Sequence, residues 1–188
     1  MPFIKTEFPD LLIFEPAVYG DERGYFFESY NQNTFLRDGN LRLQFVQDNQ
    51  ARSVYGVVRG LHFQKNPHSQ TKLIRALEGT ILDVVVDLRV GSPTYGKVYT
   101  IELSSENKKQ LLVPKGFAHG YSVLSETAEV FYKCDDFYNK ETEGGLLYND
   151  PALKIDWKIP ANKMILSGKD NLYPVLADCQ HNFVFQQS

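Results

Sequence analysis

The feature that most restricts the fold of this chain is its succession of short extended runs, each closed by turn residues, with almost no stretch of helical period. Strands are expected at Leu11–Val18, Gly24–Tyr30, Leu41–Ala51, Val57–Gln64, Lys72–Glu78, Thr80–Leu88, Val98–Leu103, Gln110–Val113, His119–Leu124 and Glu129–Asp135. Between them, Glu78-Gly79-Thr80, Val90-Gly91-Ser92-Pro93 and Ser104-Ser105-Glu106-Asn107 supply the Gly, Pro, Ser and Asn that turns demand. At most two small helices are expected, Asn33–Arg37 and one around Pro151–Leu153. Such a series, in a chain with 13 Phe and 11 Tyr, reads as an all-β jelly-roll β-barrel with a few short helices, because aromatic and β-branched residues suit pleated faces. With 188 residues and no repeat, linker or charge block, positions 1–188 are expected to form one domain.

The run Thr80–Leu88 has two unlike faces. Leu82, Val84, Val86 and Leu88 make one wholly apolar face, and Asp83 and Asp87 interrupt the other. The first is expected to pack on a core or a second sheet, the second to look into a polar cavity. In Glu129–Asp135, Val130, Tyr132 and Cys134 share a face, so Tyr132 points inward. An inward Tyr by itself is more often a core residue with a satisfied hydroxyl than a catalyst.

Charge and composition exclude several function classes. A net charge of −3 offers no basic field for nucleic acid. The opening Met1-Pro2-Phe3-Ile4-Lys5-Thr6-Glu7 lacks the apolar run of a signal peptide, and no window has the length of a membrane span, so the chain is expected in the cytoplasm. Cys134 and Cys179 form no CxxC motif and are expected as free thiols.

Two segments carry candidate chemistry: Gly56-Val57-Val58-Arg59-Gly60-Leu61-His62-Phe63-Gln64 and Pro114-Lys115-Gly116-Phe117-Ala118-His119. Their spacing resembles the paired motifs of the cupin superfamily, whose barrels bind metal through Gly-x5-His-x-His and Pro-x-Gly-x-x-His. The second motif matches. In the first, Gln64 replaces a histidine, and His68 and Ser69 stand where the usual Glu is expected. Two histidines without the third ligand or the carboxylate make a poor divalent site, so neither metal nor other cofactor is expected. The position of His62 and His119 does not separate a base from a satisfied structural histidine, but Arg59, Lys72 and Lys169-Asp170 could share one cavity with them. A carboxylate on the far ring nitrogen would fix a histidine's tautomer and raise its basicity.

The resemblance then narrows to one family. Asp21-Glu22-Arg23-Gly24-Tyr25-Phe26-Phe27-Glu28, Gln47-Asp48-Asn49, Arg59-Gly60-Leu61-His62-Phe63-Gln64, Lys72, Pro114-Lys115-Gly116-Phe117-Ala118-His119-Gly120, Tyr132, Tyr138 and Lys169-Asp170 occur in the order of the motifs of the dTDP-4-dehydrorhamnose 3,5-epimerases. The resemblance implies that His62 is the base, Asp170 its carboxylate partner, Tyr132 the acid on the opposite sugar face and Lys72 the cation at the enolate oxygen. It also implies that Arg23, Glu28, Gln47, Asn49, Arg59, His119, Glu143 and Lys169 bind a dTDP-4-keto-6-deoxy sugar, with Phe26 and Tyr138 packing near the thymine or sugar-nucleotide. A homodimer with exchanged N-terminal strands follows from the same resemblance, in which Arg23, Phe26 and Glu28 serve the partner's pocket.

The chemistry suits these residue types. Carbons 3 and 5 both flank the carbon 4 ketone, so either deprotonation places charge on the same oxygen, and one cation serves both steps. A His of pKa about 6.5 accepts a proton near neutrality, whereas a Tyr of about 10 stays protonated and returns one from the other side.

Two points stay open in the sequence. Arg59 and His62 are an odd number of positions apart, so a regular strand sends them to opposite faces unless Gly60 allows a bulge. Asp83 either orients His119 or is a buried carboxylate bonded to backbone. The rival readings are a single-carbon epimerase or ketoisomerase of the same fold, a metal-dependent cupin oxygenase, and a non-catalytic sugar-binding barrel.

Overall fold

The computed structural model describes residues 2–186. Its strands are β1 (Phe3–Lys5), β2 (Leu12–Phe14), β3 (Tyr19–Asp21), β4 (Gly24–Phe26), β5 (Gln47–Val54), β6 (Val58–Gln64), β7 (Lys72–Glu78), β8 (Thr80–Asp87), β9 (Val98–Ser104), β10 (Gln110–Val113), β11 (Phe117–Val123), β12 (Thr127–Cys134) and β13 (Glu143–Gly145), with one helix, α1 (Gln32–Gly39), before β5. They form a six-stranded sheet, β1-β2-β10-β7-β12-β5, and a five-stranded sheet, β13-β6-β11-β8-β9, with β3-β4 as a separate hairpin. The two larger sheets face one another in a cupin-like jelly roll.

The interior is built from alternate residues of both sheets. Ile74, Leu111 and Val130 from one meet Ile81, Val85, Tyr121 and Val123 from the other. The opposite face of β8, carrying Leu82, Val84 and Val86 with Leu88 just past its end, lies under Leu146, Leu153, Trp157 and Phe183 of the C-terminal segment. Both faces of β8 are therefore covered, and the wholly apolar face packs on this outer core while Asp83 and Asp87 take the other side. Each large side chain so enclosed contributes about 1.5–3 kcal/mol relative to exposure. The segment's polar atoms are satisfied as it crosses: Trp157 Nε1 donates to the Tyr148 carbonyl and the Ser122 hydroxyl to the Trp157 carbonyl.

Asp87 meets Arg89. Its carboxylate accepts from Nε and Nη2 of Arg89 and from the hydroxyls of Ser92 and Thr94. The guanidinium also reaches Asp10 and the Pro9 carbonyl, and it lies over the rings of Phe117 and Phe185. One buried ion pair thus ties the N-terminal segment, the end of β8 and the C-terminal segment together.

Helix α1 closes a third cluster on the outside of the six-stranded sheet, where Phe35 packs with Phe14, Leu73 and Leu112. Asn31 caps its start by accepting from the amides of Asn33 and Thr34, and Asn40 ends it in a left-handed conformation (φ 54°). Here the expected strand Leu41–Ala51 shortens to β5, which begins at Gln47. Leu41, Leu43 and Phe45 do alternate inward onto this cluster, but their backbone has no ladder partner before Val46 N bonds the Cys134 carbonyl. Alternation recorded packing here, without pairing.

Other boundaries move for local reasons. Leu11–Val18 contracts to β2 as the chain reaches Pro16, which has no amide to donate, and Gly24–Tyr30 contracts to the hairpin strand β4. The helix expected at Asn33–Arg37 is α1, longer by a turn, whereas the segment around Pro151–Leu153 is a turn and not a helix.

Candidate active site

A cavity of about 560 Å³ opens between the sheets, lined among others by Gln47, Asn49, Arg59, His62, Lys72, His119, Tyr132, Tyr138, Glu143, Lys169 and Asp170. Eleven of the fourteen site residues expected from the sequence are named in that lining. The other three, Arg23, Phe26 and Glu28, do not reach this cavity within the chain. Arg23 pairs with Asp21, Phe26 is 69% exposed, and Glu28 accepts from Asn31 beside a second cleft near α1.

The ladder between β6 and β11 explains how Arg59 and His62 share a face. His62 lies opposite His119 and Arg59 opposite Tyr121, so a register shift sets three steps on β6 against two on β11. Gly60 makes the shift possible. Its φ of +127° suits glycine, and a Cβ there would stand 2.5 Å from the Gly120 Cα. Arg59 then donates from Nε to the Ser53 hydroxyl at 3.1 Å.

Two histidine–carboxylate pairs flank the cavity. His62 Nε2 is 2.6 Å from Oδ1 of Asp170, which sits in the short 3-10 turn Lys169–Asn171 and is 2% exposed. Burial would raise the Asp170 carboxyl, but the hydrogen bond and charge of His62, with Ser167, outweigh it and hold it low. Nδ1 of His62 is left available to a ligand. His119 Nε2 is likewise 2.5 Å from Oδ1 of Asp83, so the first of the two sequence readings of Asp83, a carboxylate bonded to His119, is the one observed.

Across the cavity, Tyr132 and Lys72 come from the neighbouring strands β12 and β7. The Lys72 Nζ lies 5.9 Å from the centroid of the Tyr132 ring. Burial pushes the Tyr132 phenol up to about 12, with Cys134 and Tyr121 adding to it. At one edge, Glu143 accepts from the Tyr138 hydroxyl at 2.8 Å and pairs with Lys169. Burial would raise the Glu143 carboxyl, yet Lys169 and Tyr138 bring it below its ordinary value. Gln47 donates to Asn49 and accepts from the Tyr138 amide, which fixes the exposed Tyr138 ring over this edge.

Gln64, the residue in the cupin ligand position, is engaged otherwise. Its Oε1 accepts from the Asn139 amide and the Thr142 hydroxyl. Among the described residues no group of three or more His, Cys, Asp and Glu is placed to hold a metal ion. Sequence reasoning missed Tyr121 and Ser167, which line the cavity, and Tyr173, whose ring meets His62 edge-on at 5.6 Å and whose hydroxyl donates to Glu143. Alternation from His119 along the strand would have found Tyr121; the other two sit in irregular chain that carries no period.

A jelly-roll barrel whose cavity sets a carboxylate-bonded histidine, a half-buried phenol and a lysine around one ligand space is a class of protein equipped for proton transfer on a small polar molecule. Residues 5–178 match the family model described as dTDP-4-dehydrorhamnose 3,5-epimerase. The chain is 51% identical over 170 residues to the enzyme of that name from Shigella flexneri, covering 90% of this chain and 93% of the relative. Among solved structures it is similar to the epimerase of Elizabethkingia anophelis, with TM-score 0.90, 56% identity and coverage of 94% and 96%. It is similar also to a Legionella pneumophila 3,5-epimerase in complex with dTDP-4-keto-L-rhamnose, with TM-score 0.93, 43% identity and 98% coverage of both chains. The chain belongs to the dTDP-4-dehydrorhamnose 3,5-epimerase family.

Proposed function

We infer that the protein is a dTDP-4-dehydrorhamnose 3,5-epimerase, an isomerase that converts dTDP-4-dehydro-6-deoxy-D-glucose to dTDP-4-dehydro-L-rhamnose in dTDP-L-rhamnose biosynthesis. The observation that carries this is the His62–Asp170 pair in the same cavity as the half-buried Tyr132. His62 takes the proton from carbon 3 or carbon 5 through Nδ1, and Asp170 holds the ring by its other nitrogen and stabilises the imidazolium that forms. The electron pair moves onto the carbon 4 oxygen, where Lys72 meets it; a preorganised donor at such an oxygen is worth about 3–4 kcal/mol. Tyr132 then returns a proton to the same carbon from the opposite face, and the configuration inverts. A phenol held at about 12 stays protonated at neutral pH until the enolate presents a carbon to accept its proton.

Arg59, His119, Gln47, Asn49, Glu143 and Lys169 bind the sugar and its diphosphate, and Tyr138, exposed at the cavity edge, packs on the base. The remaining three, Arg23, Phe26 and Glu28, complete the cavity of a second copy in a homodimer. Supporting this, the hairpin β3-β4 presents Tyr19, Tyr25 and Phe26 to solvent at 68%, 62% and 69% exposure, an aromatic surface that a single chain leaves uncovered. No described helix is long and apolar enough to cross a membrane, and the free thiols Cys134 and Cys179 suit the cytoplasm where the account places the enzyme.

Incubation with the 4-keto-6-deoxyglucose nucleotide in heavy water tests the reading. Deuterium at both carbons and an L-rhamno product are expected. Label and inversion at one carbon alone would favour a single-carbon epimerase, and binding without exchange a sugar-binding barrel.

A further inference from the structure

His62 is tethered at one point. Its Nε2 bonds Asp170, and its ring makes no other hydrogen bond among the described residues. An imidazole held by one nitrogen can still rock about χ2, a torsion with broad wells, and such rocking swings Nδ1 off its target. The second restraint on the ring is Tyr173. The two ring centroids are 5.6 Å apart with their planes at 63°, an edge-to-face contact.

Tyr173 stands where the ladder leaves a gap. Gly145 of β13 lies directly opposite His62 of β6, so a side chain there would share the face of His62. A Cβ at 145 would come within 2.7 Å of Cδ2 and Cε2 of Tyr173, and of the Leu61 carbonyl oxygen. The glycine therefore admits the Tyr173 ring beside the imidazole. That ring is itself anchored. Its hydroxyl donates to Oε1 of Glu143 at 3.3 Å, and burial, with the Glu143 charge adding to it, raises the phenol so that it keeps its proton. Next to it in the chain, the Pro174 carbonyl accepts from the Leu147 amide at 2.8 Å. One segment, residues 169–173, thus supplies both the carboxylate on Nε2 and the ring against the imidazole.

We propose that Tyr173 is a positioning residue for the base: its ring, seated on the bare backbone of Gly145, stops His62 from rocking, so that Nδ1 stays aimed at the sugar while Asp170 sets the tautomer. The proposal rests on the reading of His62 as the base. A misaimed base loses rate rather than affinity, because proton transfer needs the reacting atoms at near-attack distance, whereas Gln47, Asn49 and Arg59, given to binding, are left in place.

Tyr173→Ala removes the ring, and Tyr173→Phe keeps it without the hydroxyl. In the full-length protein, Tyr173→Ala is expected to lower kcat by about 10²-fold with KM little changed, and to slow deuterium exchange at carbons 3 and 5 in proportion. Tyr173→Phe should lose no more than one ordinary hydrogen bond supplies, about tenfold at most. NMR relaxation of the isotopically labelled His62 ring reads the cause without any substrate: its order parameter should fall in Tyr173→Ala and hold in Tyr173→Phe. Unchanged ring order in a folded Tyr173→Ala protein overturns the proposal whatever its kcat, as does a loss confined to KM or a Tyr173→Phe protein as slow as Tyr173→Ala. Ring order that falls in Tyr173→Ala, when the wild type itself exchanges no deuterium, upholds the contact and refutes His62 as the base. Should Tyr173→Ala not fold, Tyr173→Leu is read by the same measurements.

Discussion

Nε2 of His62 and Oδ1 of Asp170 lie 2.6 Å apart although 108 positions separate them in the chain. A carboxylate 2% exposed and bonded to an imidazole has one role open to it that a solvent-facing one lacks: it sets which ring nitrogen carries the proton. Asp170→Asn should therefore lower kcat by on the order of 10²–10⁴-fold with KM little changed. Steady-state kinetics on a variant with wild-type melting behaviour checks this, and a loss confined to KM would assign Asp170 to binding.

The Asp87–Arg89 pair bears on stability rather than on the reaction. Burial would raise the Asp87 carboxyl, but Arg89, Ser92 and Thr94 hold it below its ordinary value. A carboxyl lowered in the folded state stabilises fully above its unfolded pKa of about 3.9, and that stability is lost as pH falls through the folded-state value. Asp87→Ala leaves Arg89 buried without its main partner and should cost about 3–5 kcal/mol at pH 7. In urea unfolding the gap between variant and wild type should narrow once the pH drops below about 4.

Subunit exchange tests whether the β3-β4 hairpin serves a second copy. Arg23→Ala and His62→Ala proteins should each be nearly inactive. Unfolded and refolded together, they should recover about a quarter of wild-type activity, since half the dimers are mixed and each mixed dimer holds one intact cavity. No recovery would mean that Arg23 acts within its own chain or not at all.

Activity should survive exhaustive chelation, because the Gln64 side chain is bonded to Asn139 and Thr142 and the described residues bring no group of three His, Cys, Asp or Glu together as metal ligands. Loss of activity with chelator, restored by iron, zinc or manganese, would contradict this.

What the sequence disclosed follows from which forces are local. The period of two in Thr80–Leu88 predicted both faces of β8, because each is set by where its side chains are buried. Leu41–Phe45 has the same alternation and is no strand, since pairing needs a neighbour that the period does not record. Arg59 and His62 looked irreconcilable until the register against β11 was visible; Gly60 marked the place of the bulge but not its occurrence. Asp170 was legible only through resemblance, as it reaches His62 from a short 3-10 turn that has no pattern. Arg23, Phe26 and Glu28 were named through the same resemblance, and within this chain they lie outside the cavity lining.

The division of labour between His62 and Tyr132 is the centre of the account, and solvent deuterium exchange at carbons 3 and 5 tests it most directly. His62→Ala should abolish exchange at both carbons, because no enolate forms. Tyr132→Phe should still exchange label on the face of His62 while yielding little inverted sugar, with inversion down by on the order of 10²–10⁴-fold. Exchange in a folded His62→Ala protein at close to the wild-type rate would contradict the account and make another group the base, with His119 the next to test.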